Sequence, residues 1–261
     1  MKKKKKDDLL GLLLIAVCVI ALIVGILWNL ANTTVELDKT TRCNKSKGPN
    51  NYYVIIVDNT DILRPIQKSN VKKKIKGIVN KAGPNDKVII YSLSNFSVDN
   101  TVPLIDKCSM RDGSDADKFT ENAKLMKKEK SELFDAPIDE AVNNMLANEK
   151  DSKASPIIEI IQKIRIENLP DDIKNKTVQI NLFSDLLQHS ENFSFYKNYN
   201  LKKFLTSLEF TKISTDLSGI EFTIWQLINS RLDNIRLQDH WLEIFEKMNP
   251  KYLPTIEVIS G

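Results

Sequence analysis

Residues 52–63 read YYVIIVDNTDIL, a run of apolar β-formers that ends in Asp58, Asn59, Thr60 and Asp61. Ser155 opens the stretch ASPIIE, and Ser184 and Asp185 close the stretch QINLFSD. Each group stands where a secondary-structure element begins or ends. Hard divalent cations favour about six oxygen ligands, several of them waters, so two carboxylates and two hydroxyls from separate loops suit that chemistry. Asp58, Thr60, Ser155 and Asp185 are therefore the candidate ligands for Mg2+ or Mn2+, with Asp61 as a further candidate. The competing reading is helix capping, since Asp and Thr ahead of a helix are ordinary N-cap types.

For these residues to meet, the chain must be α/β. YYVIIV, KVIIYSL, TVQINLF and GIEFTIWQLI are apolar, β-branched runs of the kind buried inside a sheet. NTVPLIDKC is a short third strand that Pro103 confines to an edge, and YLPTIEVIS is a last edge strand. Between them lie helical patterns: RPIQKSNVKKKIKGIVNKA, a helix through Leu133 to Leu146, ASPIIEIIQKIRI with Pro156 at its first position, YNLKKFLTSLEF, and NIRLQDHWLEIFEKM. Alternation of this kind predicts a doubly wound, mostly parallel six-stranded sheet with helices on both faces. Ligands collect at the carboxyl ends of such strands, at the topological switch, where the acid and hydroxyl cluster falls.

The first 31 residues stand apart. Five lysines and two aspartates, net +3, precede an uncharged run from Leu9 to Trp28. At about 1.5 Å per residue that run spans roughly 30 Å, the thickness of a bilayer core. A cleaved signal peptide would have a shorter apolar core and a small-residue cleavage site, so a retained single-pass anchor is expected. The lysines place the N-terminus in the cytoplasm and the rest of the chain outside. Residues 32–51 then read as a polar tether and residues 52–261 as the folded domain. The chain carries a net charge of +4, which leaves the remainder near +1 and gives no bulk electrostatic case for nucleic acid. Of 3 cysteines, Cys18 lies in the apolar run, and Cys43 and Cys108 lie outside it. An oxidising compartment invites those two to pair, and two unrelated thiols are the alternative.

At its oxygen cluster the sequence resembles the von Willebrand factor A domain, over about residues 52–259. The first motif of that family's metal-ion-dependent adhesion site, an Asp-x-Ser-x-Ser type of turn, matches Asp58-Asn59-Thr60-Asp61-Ile62. Ile62 departs from it, because it stands where the family has a hydroxyl. Ser155 matches the family's later-loop threonine, and Asp185 its aspartate after the fourth strand. The resemblance implies a degenerate adhesion site with an unidentified protein partner. It also implies that the third strand runs antiparallel beside the second. Cys108 and Cys43 then share the pole opposite the site, and a Cys43–Cys108 disulfide follows.

Enzymatic readings have less support. A metal-dependent hydrolase or phosphatase would use Asp58 and Asp185, with His189 nearby as base, but no paired base and nucleophile is present. VDNTD resembles the start of the haloacid dehalogenase motif, yet Thr60 stands where its second aspartate belongs. His240 reads as a helix-surface residue, KKKIK (72–76) as a solvated helix face, and FSFY (193–196) as packing with a recognition rim as its alternative. The expected role is non-enzymatic: an envelope scaffold or sensor, bacterial in compositional style.

Overall fold

The computed structural model describes residues 2–33, 35–93, 98, 100–147, 154–228 and 234–259. Six strands form one sheet: β1 (Tyr52–Val57), β2 (Lys87–Ser92), β3 (Ile105–Cys108), β4 (Val178–Ser184), β5 (Ile220–Leu227) and β6 (Thr255–Ile259). Their order is β3-β2-β1-β4-β5-β6. Every pairing is parallel except β2 with β3, which is antiparallel as the resemblance implied. The chain winds outward from β1 to β3 and then crosses back to lay β4 on the other side of β1. The switch point therefore lies between β1 and β4, which run in register from Tyr52↔Val178 to Val57↔Phe183.

Alternation along the strands builds two cores. Val54, Ile56, Ile180, Leu182 and Ile224 face one side, beneath α5 (Ile157–Glu167), α6 (Leu201–Leu205), α7 (Leu208–Ile213) and α8 (Asn234–Met248). Ile55, Val57, Phe183, Trp225 and Leu227 face the other, beneath α2 (Pro65–Val79) and α4 (Ala136–Ala147). Five isoleucines of α5, at 157, 158, 160, 161 and 164, are completely buried. Burying an isoleucine is worth about 1.5–3 kcal/mol, so this helix is a principal anchor of its face.

Three helical expectations need correction. The helix expected from Leu133 begins ten residues earlier, as α3 (Ala123–Lys130), and reaches α4 through a π-helical turn at Ser131–Asp135. In that turn Ala136 N–H reaches back to Ser131, and the widened turn admits Pro137, which has no N–H to give, without ending the helix. Pro156 is the N-cap of α5 rather than its first helical residue. YNLKKFLTSLEF forms two short helices, because the Ser207 side chain accepts the Phe210 N–H and starts a second one.

At the amino-end pole, the stretch read as a tether is folded against the sheet. Leu37 bridges Asn44, and Asp38 Oδ1 accepts the N–H groups of Thr40 (2.9 Å) and Thr41 (2.7 Å). Cys108 N–H donates to the Thr41 carbonyl (2.7 Å), and a Cys43–Cys108 disulfide joins this hook to β3 with the Cα atoms 4.9 Å apart. Ahead of it, α1 (Lys2–Thr33) carries an 18-residue window, Gly11–Trp28, with mean hydropathy 3.0 and none of it buried. That window is long and apolar enough to cross a membrane or to serve as a signal sequence.

Candidate functional site at the strand ends

Asp58 continues the β1 ladder by one bond, its N–H donating to the Phe183 carbonyl at 2.7 Å. Its carboxylate then turns inward and is 4% exposed. Oδ1 accepts the Thr60 hydroxyl (2.6 Å) and the Thr60 N–H (3.3 Å), while Oδ2 accepts the hydroxyls of Ser155 (2.8 Å) and Ser184 (2.7 Å). Four donors from three segments thus converge on one carboxylate. Burial pushes the Asp58 pKa up, and the Thr60, Ser184 and Ser155 hydrogen bonds oppose that rise.

Ser155 sits in a two-way backbone bridge, giving its N–H to His189 and taking the His189 N–H, both at 2.9 Å. Gln188 then accepts the Ile158 N–H at 3.0 Å, tying the start of α5 to the loop that follows β4. Ser184, fully buried, donates to Asp58 and accepts the Leu186 N–H at 2.8 Å. Leu186 holds a left-handed backbone, φ 69°, which costs a non-glycine residue about 1–3 kcal/mol. Two anchors hold that conformation: a completely buried Leu186 side chain, and a carbonyl that accepts the Trp241 indole N–H at 2.8 Å. The strained turn aims Asp185 toward Asp58.

Asp185 is the least satisfied acid of the group. Oδ1 accepts the Leu187 N–H at 3.1 Å, whereas Oδ2 is buried without a hydrogen-bond partner. Burial first, then the Asp58 charge, and then the charge and close approach of the Asp61 carboxylate, which has no proton to give, push its pKa up to about 8. Burial, followed by the charges of Asp185, Asp61 and Asp58, lifts the Tyr196 phenol to about 12. Thr60, Asp61 and Asp185 form a ridge between two cavities. One, about 350 Å3, continues along Ile62, Arg64 and Gln67; the other, about 230 Å3, is walled by Ser155, His189 and Tyr196.

Asp58, Thr60, Asp61, Ser155 and Asp185 are therefore gathered at one place. Asp61 and Ile62 are exposed at the rim, with Ile62 where the resemblance expects a hydroxyl. Ser184, Leu186 and Gln188 complete the frame. Ser184, the last residue of β4, was visible in the sequence as the hydroxyl that closes QINLFSD, whereas nothing local marks a left-handed leucine. His189 lines the smaller cavity, and its Nδ1 pairs with the Ser194 hydroxyl at 2.8 Å. His240 is remote, bonded through Nδ1 to the Tyr199 hydroxyl at 2.9 Å. Phe193 is core, stacked on Phe204 at 4.0 Å, so of FSFY it is Tyr196 that reaches the rim. Among the described residues, no set of three or more His, Cys, Asp or Glu side chains has the spacing to hold an ion unaided. Any ion here would need the hydroxyls as well.

No protein-family model and no curated protein matches the chain. Several solved structures resemble it. Proximal thread matrix protein 1 from the mussel byssus is 10% identical, covering 80% of this chain and 42% of its own, with a TM-score of 0.40. A von Willebrand factor type A protein from Catenulispora acidiphila is 13% identical, covering 82% and 39%, with a TM-score of 0.42. The manganese-loaded TRAP protein of Plasmodium vivax is 12% identical, covering 80% and 68%, with a TM-score of 0.40. The chain thus spans about two fifths of the length of the first two.

Proposed function

We propose that this chain is a membrane-anchored recognition domain of the von Willebrand factor A type. In this reading its strand-end pole binds a divalent cation, Mg2+ or Mn2+, and through it a protein partner. The observation that carries the reading is the buried, unpartnered Oδ2 of Asp185, set beside two further carboxylates. A buried carboxylate left this way is costly unless a positive charge accompanies it. The residues fit such an ion. Thr60 and Ser155 give their protons to Asp58, which leaves their oxygen lone pairs free to coordinate. Asp58 orients those hydroxyls, Asp185 and Asp61 supply charge, and Ile62 withholds one ligand, which favours weaker binding than a full set would give. When bound, the ion supplies a coordination position for a partner's carboxylate. Asp58 has both oxygens engaged by hydroxyls, a state that suits an orienting group better than a nucleophile.

The remaining features support an extracytoplasmic placement. In the proposed topology the lysine leader stays inside, residues 9–28 span the membrane as a retained anchor, and the domain lies outside, where Cys43 and Cys108 can stay oxidised. The chain enters the domain through the hook at the amino-end pole, so the strand-end site faces away from the bilayer, across strands of about 20 Å. Pull-down from intact envelopes with the full chain as bait tests the reading. A partner retained in Mg2+, released by chelator and absent with Asp58→Ala supports it. A partner held equally in chelator, or equally by Asp58→Ala, contradicts it.

A further inference from the structure

A second surface lies on the flank of the sheet, away from the strand ends. Helices α2 and α4 cover the second face over β1 to β3, and beside α2 a groove of about 530 Å3 stays open above β5 and β6. Trp225 and Ile259 line it on the sheet side, while Lys73, Lys74 and Gly77 of α2 and Lys81 in the turn after it line the other. The sequence marks Lys73 and Lys74 only as part of a solvated basic helix face, KKKIK (72–76). In the fold that face borders an apolar floor, and Glu257, the acid at the groove's edge, is already paired with Lys74.

Lys74 already shows what the groove favours. Its ammonium lies 4.0 Å from the Trp225 ring centroid and 3.2 Å from Glu257 on β6, so one cation, one aromatic face and one carboxylate meet there. Lys73 and Lys81 are exposed, and among the described residues no acid pairs with them. Gly77 lies between them near the end of α2, and a Cβ added there would meet nothing within 4 Å, which lets an incoming backbone approach closely.

We propose that this groove docks an acidic segment of a protein partner. Carboxylates of the segment pair with Lys73 and Lys81, and a large apolar side chain seats against Trp225 and Ile259. Charge complementarity selects this occupant: an aromatic-floored groove whose Glu257 is already paired with Lys74, and whose Lys73 and Lys81 are not paired with an acid among the described residues, favours an anionic, partly apolar peptide over a neutral or basic one. The site is independent of the strand-end cation, and Asp58 lies outside it.

The test is selection from a displayed library of random 16-residue peptides against the full chain in zwitterionic nanodiscs. Fluorescence anisotropy of the enriched peptides follows, with phosphatidylglycerol vesicles as a parallel probe. The expected result is enrichment of net-negative peptides carrying Leu, Ile or an aromatic residue. Their binding weakens with salt and falls at least tenfold in Lys73→Glu/Lys81→Glu. It also falls in Gly77→Leu, which fills the groove without changing its charge, and persists in Asp58→Ala. No enrichment, enrichment of neutral or basic peptides, or binding indifferent to both groove variants overturns the proposal. So does lysine-dependent binding of the vesicles without peptide binding, which assigns the face to a lipid surface. Cooperative thermal unfolding of each variant shows that its fold is intact.

Discussion

The two poles of the sheet treat the same side chain in opposite ways. At the amino-end pole, Asp38 in the hook accepts hydrogen bonds from the Thr41 N–H, the Thr41 hydroxyl and the Thr40 N–H, and these hold its pKa below the usual carboxylate value. At the carboxyl-end pole, Asp185 is buried beside two other acids, one of its oxygens has no partner, and its pKa is driven up. Asp38 is an acid at rest, fully used in shaping a turn. Asp185 is held by a strained neighbouring backbone in a place that favours its protonated form or a nearby cation. A disulfide and folded hook consolidate one end, while buried, crowded acids with raised pKa values gather at the other. That division suits the tethered recognition domain proposed above, which would need rigidity on its anchored side and reactivity on the other.

The largest expected effect comes from breaking the consolidated pole. The Cys43–Cys108 bridge spans a sequence separation of 65. Its removal by Cys43→Ala/Cys108→Ala is expected to cost about 2–4 kcal/mol in denaturant unfolding. Cation binding at the far pole should be unchanged in the surviving folded fraction, and a loss of both together would erase the division between the poles.

Next is Ser184→Ala, which removes a buried donor from Asp58 and an acceptor from the Leu186 N–H. A loss of about 1–3 kcal/mol is expected by urea titration. This variant should weaken cation binding as well as the fold, unlike the cysteine pair.

Asp185→Asn should act in the other direction. Because the folded-state pKa of Asp185 is raised to about 8, the folded chain binds more protons than the unfolded chain between about pH 4 and 8. In chelator, stability therefore falls as pH rises through that window. The asparagine variant should lack that slope and gain on the order of 1–2 kcal/mol at pH 7.5. Thermal unfolding as a function of pH measures both, and added Mg2+ should flatten the wild-type slope. The smallest effect belongs to Asp38→Ala. With its pKa lowered on folding, Asp38 contributes stability at neutral pH that is lost as pH falls below about 4, and the exposed turn screens much of it.

The sheet was legible in the sequence because its strands are continuous β-branched runs, and a buried parallel strand needs little else. YYVIIV and TVQINLF mark β1 and β4, and the polar residues that follow them mark the site. Asp58, Thr60, Ser155 and Asp185 could be read together because each ends or begins an element. What escaped was whatever depends on tertiary partners. The π turn that admits Pro137 lies inside a long helix whose pattern alone points to a later start. The folded hook owes its shape to Asn85 and Cys108, far along the chain. The left-handed Leu186 is secured by Trp241, 55 residues away.

The central claim is that Asp185 and its neighbours await a cation. Isothermal calorimetry of the full chain in detergent, titrated with Mg2+ and with Mn2+, tests it most directly. The account predicts a saturable heat for at least one ion, abolished in Asp58→Ala while the thermal unfolding of that variant remains cooperative. Absence of heat for both ions in the folded wild-type chain would contradict it.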